Sequence, residues 1–401
     1  MLKNFHNLFN WVSQNKKKIN IILIVLIIIR FVFLNYINWK WGLLTSGRAG
    51  IQYGGDSMRY IDGVERLFNN TPFYFPQADY LGYIFFLAFI KIIGAGLEAA
   101  LLFQLFFALI SAYALYDITK SITKNKTAGI VASGLYLVNP FITTYHLYVL
   151  TESLYTSFLI FSVWSLYKMF EKKNYKYYIL SFLIICITSS IRPNGWVLFP
   201  IFFYFIIMHS GIKRHIKYIT FLIIILLFSL SAIFIPEFNK AIQNDASGEN
   251  LVQGNVIWGG GEQKLSMPTD PSLENKNWTS AYSYVAKHPL ACLKLAAYRV
   301  ASETLTLNRP WMSDKFRIRF LLWVLPGYFL AIFGFIFFRK NIAVKIASVV
   351  ILAQLLIISL THADHDFRFI LYILPLIYLL GSCGLLFFYY KIKTRIGKEH
   401  R

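Results

Sequence analysis

Long apolar runs closed by clusters of basic residues constrain this chain more than any motif does. From Ile19 to Ile37 the apolar run is broken only by Asn20, Arg30, Asn35 and Tyr36, and similar runs recur to the C-terminus. A helix of about 20 mainly apolar residues covers the hydrocarbon layer of a bilayer. Of the 401 residues, 57% are hydrophobic and 15% charged, where a soluble domain carries roughly 25% charged residues. The expected fold is therefore an all-α polytopic membrane protein. Ten spans are read at about 19–37, 97–118, 128–149, 153–170, 177–191, 196–210, 218–235, 319–338, 342–360 and 369–390. The run Leu81 to Ile93 is too short to cross and reads as a re-entrant or interfacial helix. The first apolar run is too long for a signal-peptide core and reads as a retained anchor.

The net charge of +21 raises the question of nucleic acid, and its placement answers it. Lys16–Lys18 precede the first span; Lys120, Lys124 and Lys126 follow the second; Lys172, Lys173 and Lys176 follow the fourth. Lys213, Arg214 and Lys217, then Arg339 and Lys340, then Lys391, Lys393 and Arg395 continue the series. All fall in connections on one side, the pattern of cytoplasmic loops, so both termini are expected inside. The anionic inner leaflet is a sufficient partner for these cations, and nucleic acid is excluded. Acidic residues test the assignment independently: 16 of the 19 fall outside or at outer helix ends. The whole chain, 1–401, reads as a single integral-membrane domain with two long outer segments, 38–96 and 236–318, each holding juxtamembrane helices. Within the second, Gly259–Gly261, Pro268 and Pro271 mark irregular backbone. Residues from Trp278 to Leu307 then read as helix, with Val285, Leu290, Leu293, Ala297 and Val300 at helical spacing. Cys186, Cys292 and Cys383 suggest no disulfide framework.

Several short constellations sit at outer helix ends. Gly54-Gly55-Asp56-Ser57-Met58-Arg59-Tyr60 opens a short amphipathic helix after the first span. There Asp56 is either an N-cap or a catalytic base held near the outer membrane surface. Thr151-Glu152 opens a span, and Glu152 there suits the helix dipole. Ser190-Ile191-Arg192-Pro193-Asn194-Gly195 forms a turn between spans, and Asp366-Phe367-Arg368-Phe369 precedes Leu374-Pro375 in the last one.

In order and position these elements resemble the membrane glycosyltransferases of the GT-C superfamily. The likeness is to the branch of protein O-mannosyltransferases and lipid A aminoarabinose transferases, and it runs along nearly the whole chain. It implies a GT-C-like bundle, Asp56 as the catalytic residue, and Tyr60, Glu152, Arg192, Asp366 and Arg368 as substrate-binding residues. The implied donor is a polyprenyl-phosphate-linked sugar. Many relatives carry Lys-Pro-Pro before the half-helix, where this chain has Phe75-Pro76-Gln77; many have two adjacent acids where this chain has Asp56-Ser57.

A leaving phosphate needs neutralising, which arginine does bidentately. Arg192 and Arg368 are the candidates; Lys287, Arg299 and Arg309 read as lipid headgroup contacts. Thr361-His362-Ala363-Asp364-His365-Asp366 could hold Mn²⁺ or Zn²⁺, but hydrogen bonding to acceptor or phosphate suits it better, and no cofactor is expected. The outer aromatics Trp39, Trp41, Tyr53, Trp258, Trp278 and Trp311 could stack on sugar faces, and read first as an interfacial belt. The function expected is sugar transfer at the outer face of the cytoplasmic membrane onto a glycan, lipid or protein acceptor. A glycan polymerase or ligase is the alternative, as is a lipid or glycan transporter, although the ionisable residues lie at membrane borders rather than the midplane.

The topology has a direct check. Single cysteines placed near Lys173 and near Asn250 in a cysteine-free background should differ in labelling by an impermeant reagent on intact cells. Only the second should react; labelling near Lys173 would overturn the assignment.

Overall fold

The chain was analysed as a computed structural model, which describes residues 11, 14–46, 53–74, 76–209, 247–258, 263–270, 278–307 and 309–399. The expected span 218–235, the cations Lys213, Arg214 and Lys217, and Gly259–Gly261 and Pro271 lie outside the described residues.

Helix α1 (Lys16–Ser46) is the product of the first apolar run. Its Ile21, Ile22, Ile28, Ile29 and Val32 are each more than half exposed. An apolar face of that extent belongs against acyl chains rather than water. After Gly54-Gly55 comes α2 (Ser57–Phe68), then a 3-10 turn (Gln77–Tyr80) and the 12-residue α3 (Leu81–Ile92). Next are α4 (Leu97–Thr123) and α5 (Lys126–Val138). The sequence at 128–149 reads as one span, but the helix breaks at Asn139-Pro140. The Asn139 side chain accepts from the Phe141 and Ile142 amides and Pro140 takes the first helical position, so a new short helix α6 (Pro140–Thr144) begins there. Then follow α7 (Thr151–Lys172), α8 (Tyr175–Ile191), a 3-10 turn (Pro193–Val197) and α9 (Leu198–His209).

Beyond them lie α10 (Ser247–Val252), α11 (Trp278–Lys287) and α12 (Pro289–Leu305). The expected helix over 278–307 is thus two, because the residue before a proline disfavours the α conformation and Pro289 restarts the helix. Helices α13 (Asp314–Phe338), α14 (Ile342–Leu360) and α15 (Arg368–Glu399) complete the chain. Among the described residues there is no strand, only two isolated bridges. Helices α1, α4, α13, α14 and α15 each contain a segment long and apolar enough to cross a membrane, and α5, α8 and residues 193–209 form shorter apolar helices.

Two packing features position the rest. First, α15 is the axis of the bundle: 89% of its most apolar stretch is buried. It meets α13 through glycines, as small residues let membrane helices approach closely. A Cβ on Gly384 would lie 2.1 Å from the Leu330 carbonyl oxygen, and one on Gly334 would lie 1.9 Å from that of Leu380. Second, α12 is amphipathic with its polar face inward. Leu290 and Leu293 are 81% and 67% exposed, whereas Arg299, Ser302 and Glu303 are fully buried. In a bilayer border that inversion satisfies both faces.

The close α13–α15 crossing predicts that Gly384→Ala lowers the temperature at which the purified protein loses its fold in detergent. Overpacking against backbone should cost about 1–3 kcal/mol. Gly55→Ala, where an added Cβ meets nothing within 4 Å, should leave that temperature unchanged.

Candidate active site

Four helix ends converge on one guanidinium. Arg368 begins α15 and donates from Nη1 to Asp56 Oδ2 at 3.0 Å and to Glu152 Oε1 at 3.4 Å. Its other edge meets Asp364 as a fork, Nε to Oδ2 at 3.1 Å and Nη2 to Oδ1 at 2.9 Å. Behind it, Arg192 at the end of α8 donates from Nη1 to Glu152 Oε1 and to Thr151 Oγ1, both at 2.8 Å. The Arg192 guanidinium lies 4.9 Å from the Tyr372 ring centre and 5.5 Å from that of Phe369. Ionised groups in a low-dielectric border persist only when paired and hydrogen-bonded, and each of these is.

Asp56 precedes α2 but does not cap it. Its backbone is helical, and its side chain accepts no hydrogen bond from the α2 amides. Instead Oδ1 pairs with Arg59 at 3.3 Å and Oδ2 with Arg368. Ser57 takes the local turn, its Oγ accepting from the Gly54 amide at 2.8 Å.

The loop that presents Arg368 is held from α12. Glu303 Oε1 accepts from the Phe369 and Ile370 amides at 3.0 and 3.1 Å, while Oε2 accepts from the Asp364 amide at 2.9 Å and from Arg309 Nη2 at 3.2 Å. Arg309 in turn donates to the His365 carbonyl, and its guanidinium lies 3.8 Å from the Phe367 ring centre. Phe367 adopts φ of 59°, a left-handed conformation unfavourable for a bulky residue. Such strain persists where surroundings over-determine it; here Phe367 also stacks on Phe320 at 4.6 Å. Arg299 completes the frame, donating to the carbonyls of Asn250, Asn255, Ser359 and Leu360. The 250–258 segment joins through a bridge between Ile257 and Ala363. Burial pushes the Asp364 carboxyl up, but Arg368 beside it more than offsets this and holds it below the usual carboxylate range. Burial also lowers His362 to about 4, leaving it neutral.

In front of this cluster lies a cavity of about 680 Å³. Gly54, Gly55, Asp56, Asp366 and Arg368 form its polar wall, and Phe141, Tyr145, Tyr148, Trp258 and Phe316 its aromatic one. Trp311 stacks on His365 at 4.6 Å beside it. Carboxylate, guanidinium and aromatic faces together can accept a proton, hold an anion and stack on a flat apolar surface.

Of the residues singled out from sequence, Asp56, Glu152, Arg192 and Arg368 form one contact network. Asp366 lines the cavity, with its side chain 68% exposed and paired with His365. Tyr60 is buried, edge-on to Tyr80 and Tyr83, and is not among the lining residues. The partner of Arg368 is Asp364 rather than its nearer neighbour Asp366. Arg299 and Arg309 are not headgroup contacts, since both are essentially inaccessible. Lys287 pairs with Asp270. Glu303 was not anticipated; an acid spaced to share the buried face with Arg299 was the available signal. Among the described residues no three His, Cys, Asp or Glu side chains are grouped to share a metal ion.

The geometry predicts an order of effects. Asp364→Asn frees the Arg368 fork and should lower turnover at this site about 10²-fold, the penalty of a misplaced charged group. Asp366→Asn should lower it less. Rates in proteoliposomes at matched protein content give the ratio; a reversed order would remove Asp364 as the anchor.

Comparison with the curated proteins gives no match. Residues 80–234 match the family model of dolichyl-phosphate-mannose-protein mannosyltransferases, a segment containing Glu152 and Arg192, and the match supports a GT-C membrane glycosyltransferase.

Proposed function

We propose that this chain transfers a sugar from a polyprenyl-phosphate donor to a hydroxyl acceptor at the outer face of the cytoplasmic membrane. Ten spans carry it, both termini face the cytoplasm, and Gly54–Asp56 of the first outer segment and Trp258, Met312 and Phe316 of the second line the cavity. The family match lends the donor class, and the distribution of basic and acidic residues lends the orientation. The observation that carries the reading is the state of Asp56. Its carboxylate faces the cavity, is not used as a cap, and is held by an arginine 312 positions away in the chain.

The reaction follows from that arrangement. The donor phosphate enters beside Arg368 and competes with Asp56 for Nη1, while Asp364 keeps the rest of the guanidinium in place. Released from Arg368, Asp56 takes the proton of the acceptor hydroxyl. The acceptor oxygen attacks the anomeric carbon, the bond from that carbon to the phosphate oxygen breaks, and the polyprenyl phosphate departs with the bonding electrons. Arg368 neutralises the charge that develops on it. In-line attack inverts the anomeric centre. Arg192 and Glu152 hold Arg368 from behind, and Asp366 and the aromatic wall meet the sugar or acceptor.

Asp56→Asn keeps size and polarity while removing the base. Transfer should fall about 10²–10⁴-fold, with expression and thermal stability retained. Asp62→Asn, in the same helix, should be mild. Arg368→Lys keeps the charge but loses the fork, and donor turnover should fall strongly. Near wild-type transfer by Asp56→Asn would sink the assignment of the base.

A further inference from the structure

A second apolar groove runs along the bundle and ends at the face opposite the active site. Two cavities, of about 400 and 270 Å³, share Val131, Ser382 and Leu385 and so lie end to end. Its floor is a single face of α15: Tyr378, Gly381, Ser382, Leu385, Tyr389 and Lys393 recur at helical spacing. At 1.5 Å per residue that face is roughly 22 Å long, more than the roughly 15 Å of hydrocarbon in one leaflet. The part against Leu322, Pro326 and Leu330 of α13 is apolar. The end far from Arg368 is not: Lys16 and Lys393 flank it, together with Asn125 and Thr127 at the start of α5.

Three features bear on what fits there. Both lysines are exposed, and neither makes an ion pair among the described residues. The amino end of α5 adds the positive end of its dipole. Ser382 is 2% exposed and lines both cavities, yet its hydroxyl has no hydrogen-bond partner among the described residues. A slot with cations at its mouth and apolar walls below fits a headgroup anion with an acyl chain, which passes Ser382 roughly 16 Å along the helix from Lys393.

The donor lipid has the wrong polarity for it. Its phosphate belongs beside Arg368, the first residue of α15, whereas Lys393 lies 25 residues on, roughly 37 Å along the axis. A lipid whose anion sits at Lys16 and Lys393 must belong to the other leaflet.

We propose that this groove binds an anionic glycerophospholipid of the leaflet opposite the active site, its phosphate between Lys16 and Lys393 and one acyl chain along α15 past Ser382. On the orientation proposed above this is the cytoplasmic leaflet, although the site is defined by its distance from Arg368 and stands apart from the assigned reaction.

The test uses the full-length protein in detergent, offered equal amounts of phosphatidylglycerol and phosphatidylcholine, with retained lipid counted by native mass spectrometry. Wild type should retain phosphatidylglycerol over phosphatidylcholine by about tenfold or more, the order that two juxtamembrane lysines supply. The surface double variant Lys16→Gln/Lys393→Gln should bring the ratio near one, and Ser382→Phe should reduce retention of both lipids. Asp56→Asn should leave the ratio unchanged even where it abolishes transfer, which separates this site from the assigned base. Equal retention of the two lipids by wild type would overturn the proposal, as would a ratio indifferent to the lysine substitutions. Displacement of phosphatidylglycerol by added polyprenyl phosphate would assign the groove to the donor chain instead, and would overturn it too.

Discussion

The position of the Arg368 guanidinium is the constraint on which the candidate site depends. It gathers acids from two distant parts of the chain, Asp56 and Glu152, together with Asp364 four residues before it. Removing such charges from water costs several kcal/mol per ion unless geometry and hydrogen bonds compensate. The compensation is built in layers. Asp364 grips the fork, Glu303 grips the backbone of the loop carrying Asp364, and Arg309 grips Glu303. Each of these three has its own partner, as a buried polar network requires to be favourable, while Glu152 keeps one buried oxygen, Oε2, unpartnered among the described residues.

This layering explains why α12 is turned polar face inward. A juxtamembrane helix in water would bury Leu290 and Leu293; here they are among its most exposed residues, and the helix buries Arg299 and Glu303. Unpaired backbone at a membrane border must be satisfied by protein. Arg299 does this for the last carbonyls of α14 and for the 250–258 segment, and Glu303 does it for the first amides of α15. The helix is in effect a polar splint for a loop that would otherwise leave its amides and carbonyls unmatched.

What the sequence disclosed follows from the same physics. Apolar length predicted α1, α4, α13, α14 and α15, because hydrocarbon thickness is a one-dimensional rule. Asp56 and Arg192 stood out as ionised residues at helix ends beside glycine or proline, and Glu152 and Arg368 through the resemblance of their short motifs to the GT-C glycosyltransferases. Local spacing could not decide between Asp364 and Asp366: both lie within reach of Arg368 along the chain, and only the left-handed turn at Phe367 directs Asp364 inward and Asp366 into the cavity. The role of Arg299 and Arg309 was misread because a cation in a membrane-border loop was matched to lipid. Their acceptors are mostly carbonyls of distant segments, which have no signature in side-chain pattern. The break at Asn139-Pro140 was present in the sequence, but apolar length outweighed it.

The same frame bears on how a phosphate can be held. A helix amino terminus is a ready anion site because its first amides are unpaired, and α15 points such an end at the cavity. Those amides are already taken: Arg368 N–H by Asp364, and Phe369 and Ile370 N–H by Glu303. A donor phosphate in this cavity therefore gains little from the helix end itself and must be met by side chains. Arg59 and Arg368 are the cations that touch Asp56, and of these Arg368 lines the cavity wall. Its fork belongs to Asp364, so the exchangeable contact is the one from Nη1 to Asp56. In the proposed reaction, binding the donor and freeing the base are then a single event at one nitrogen, which ties proton transfer to the presence of a sugar phosphate.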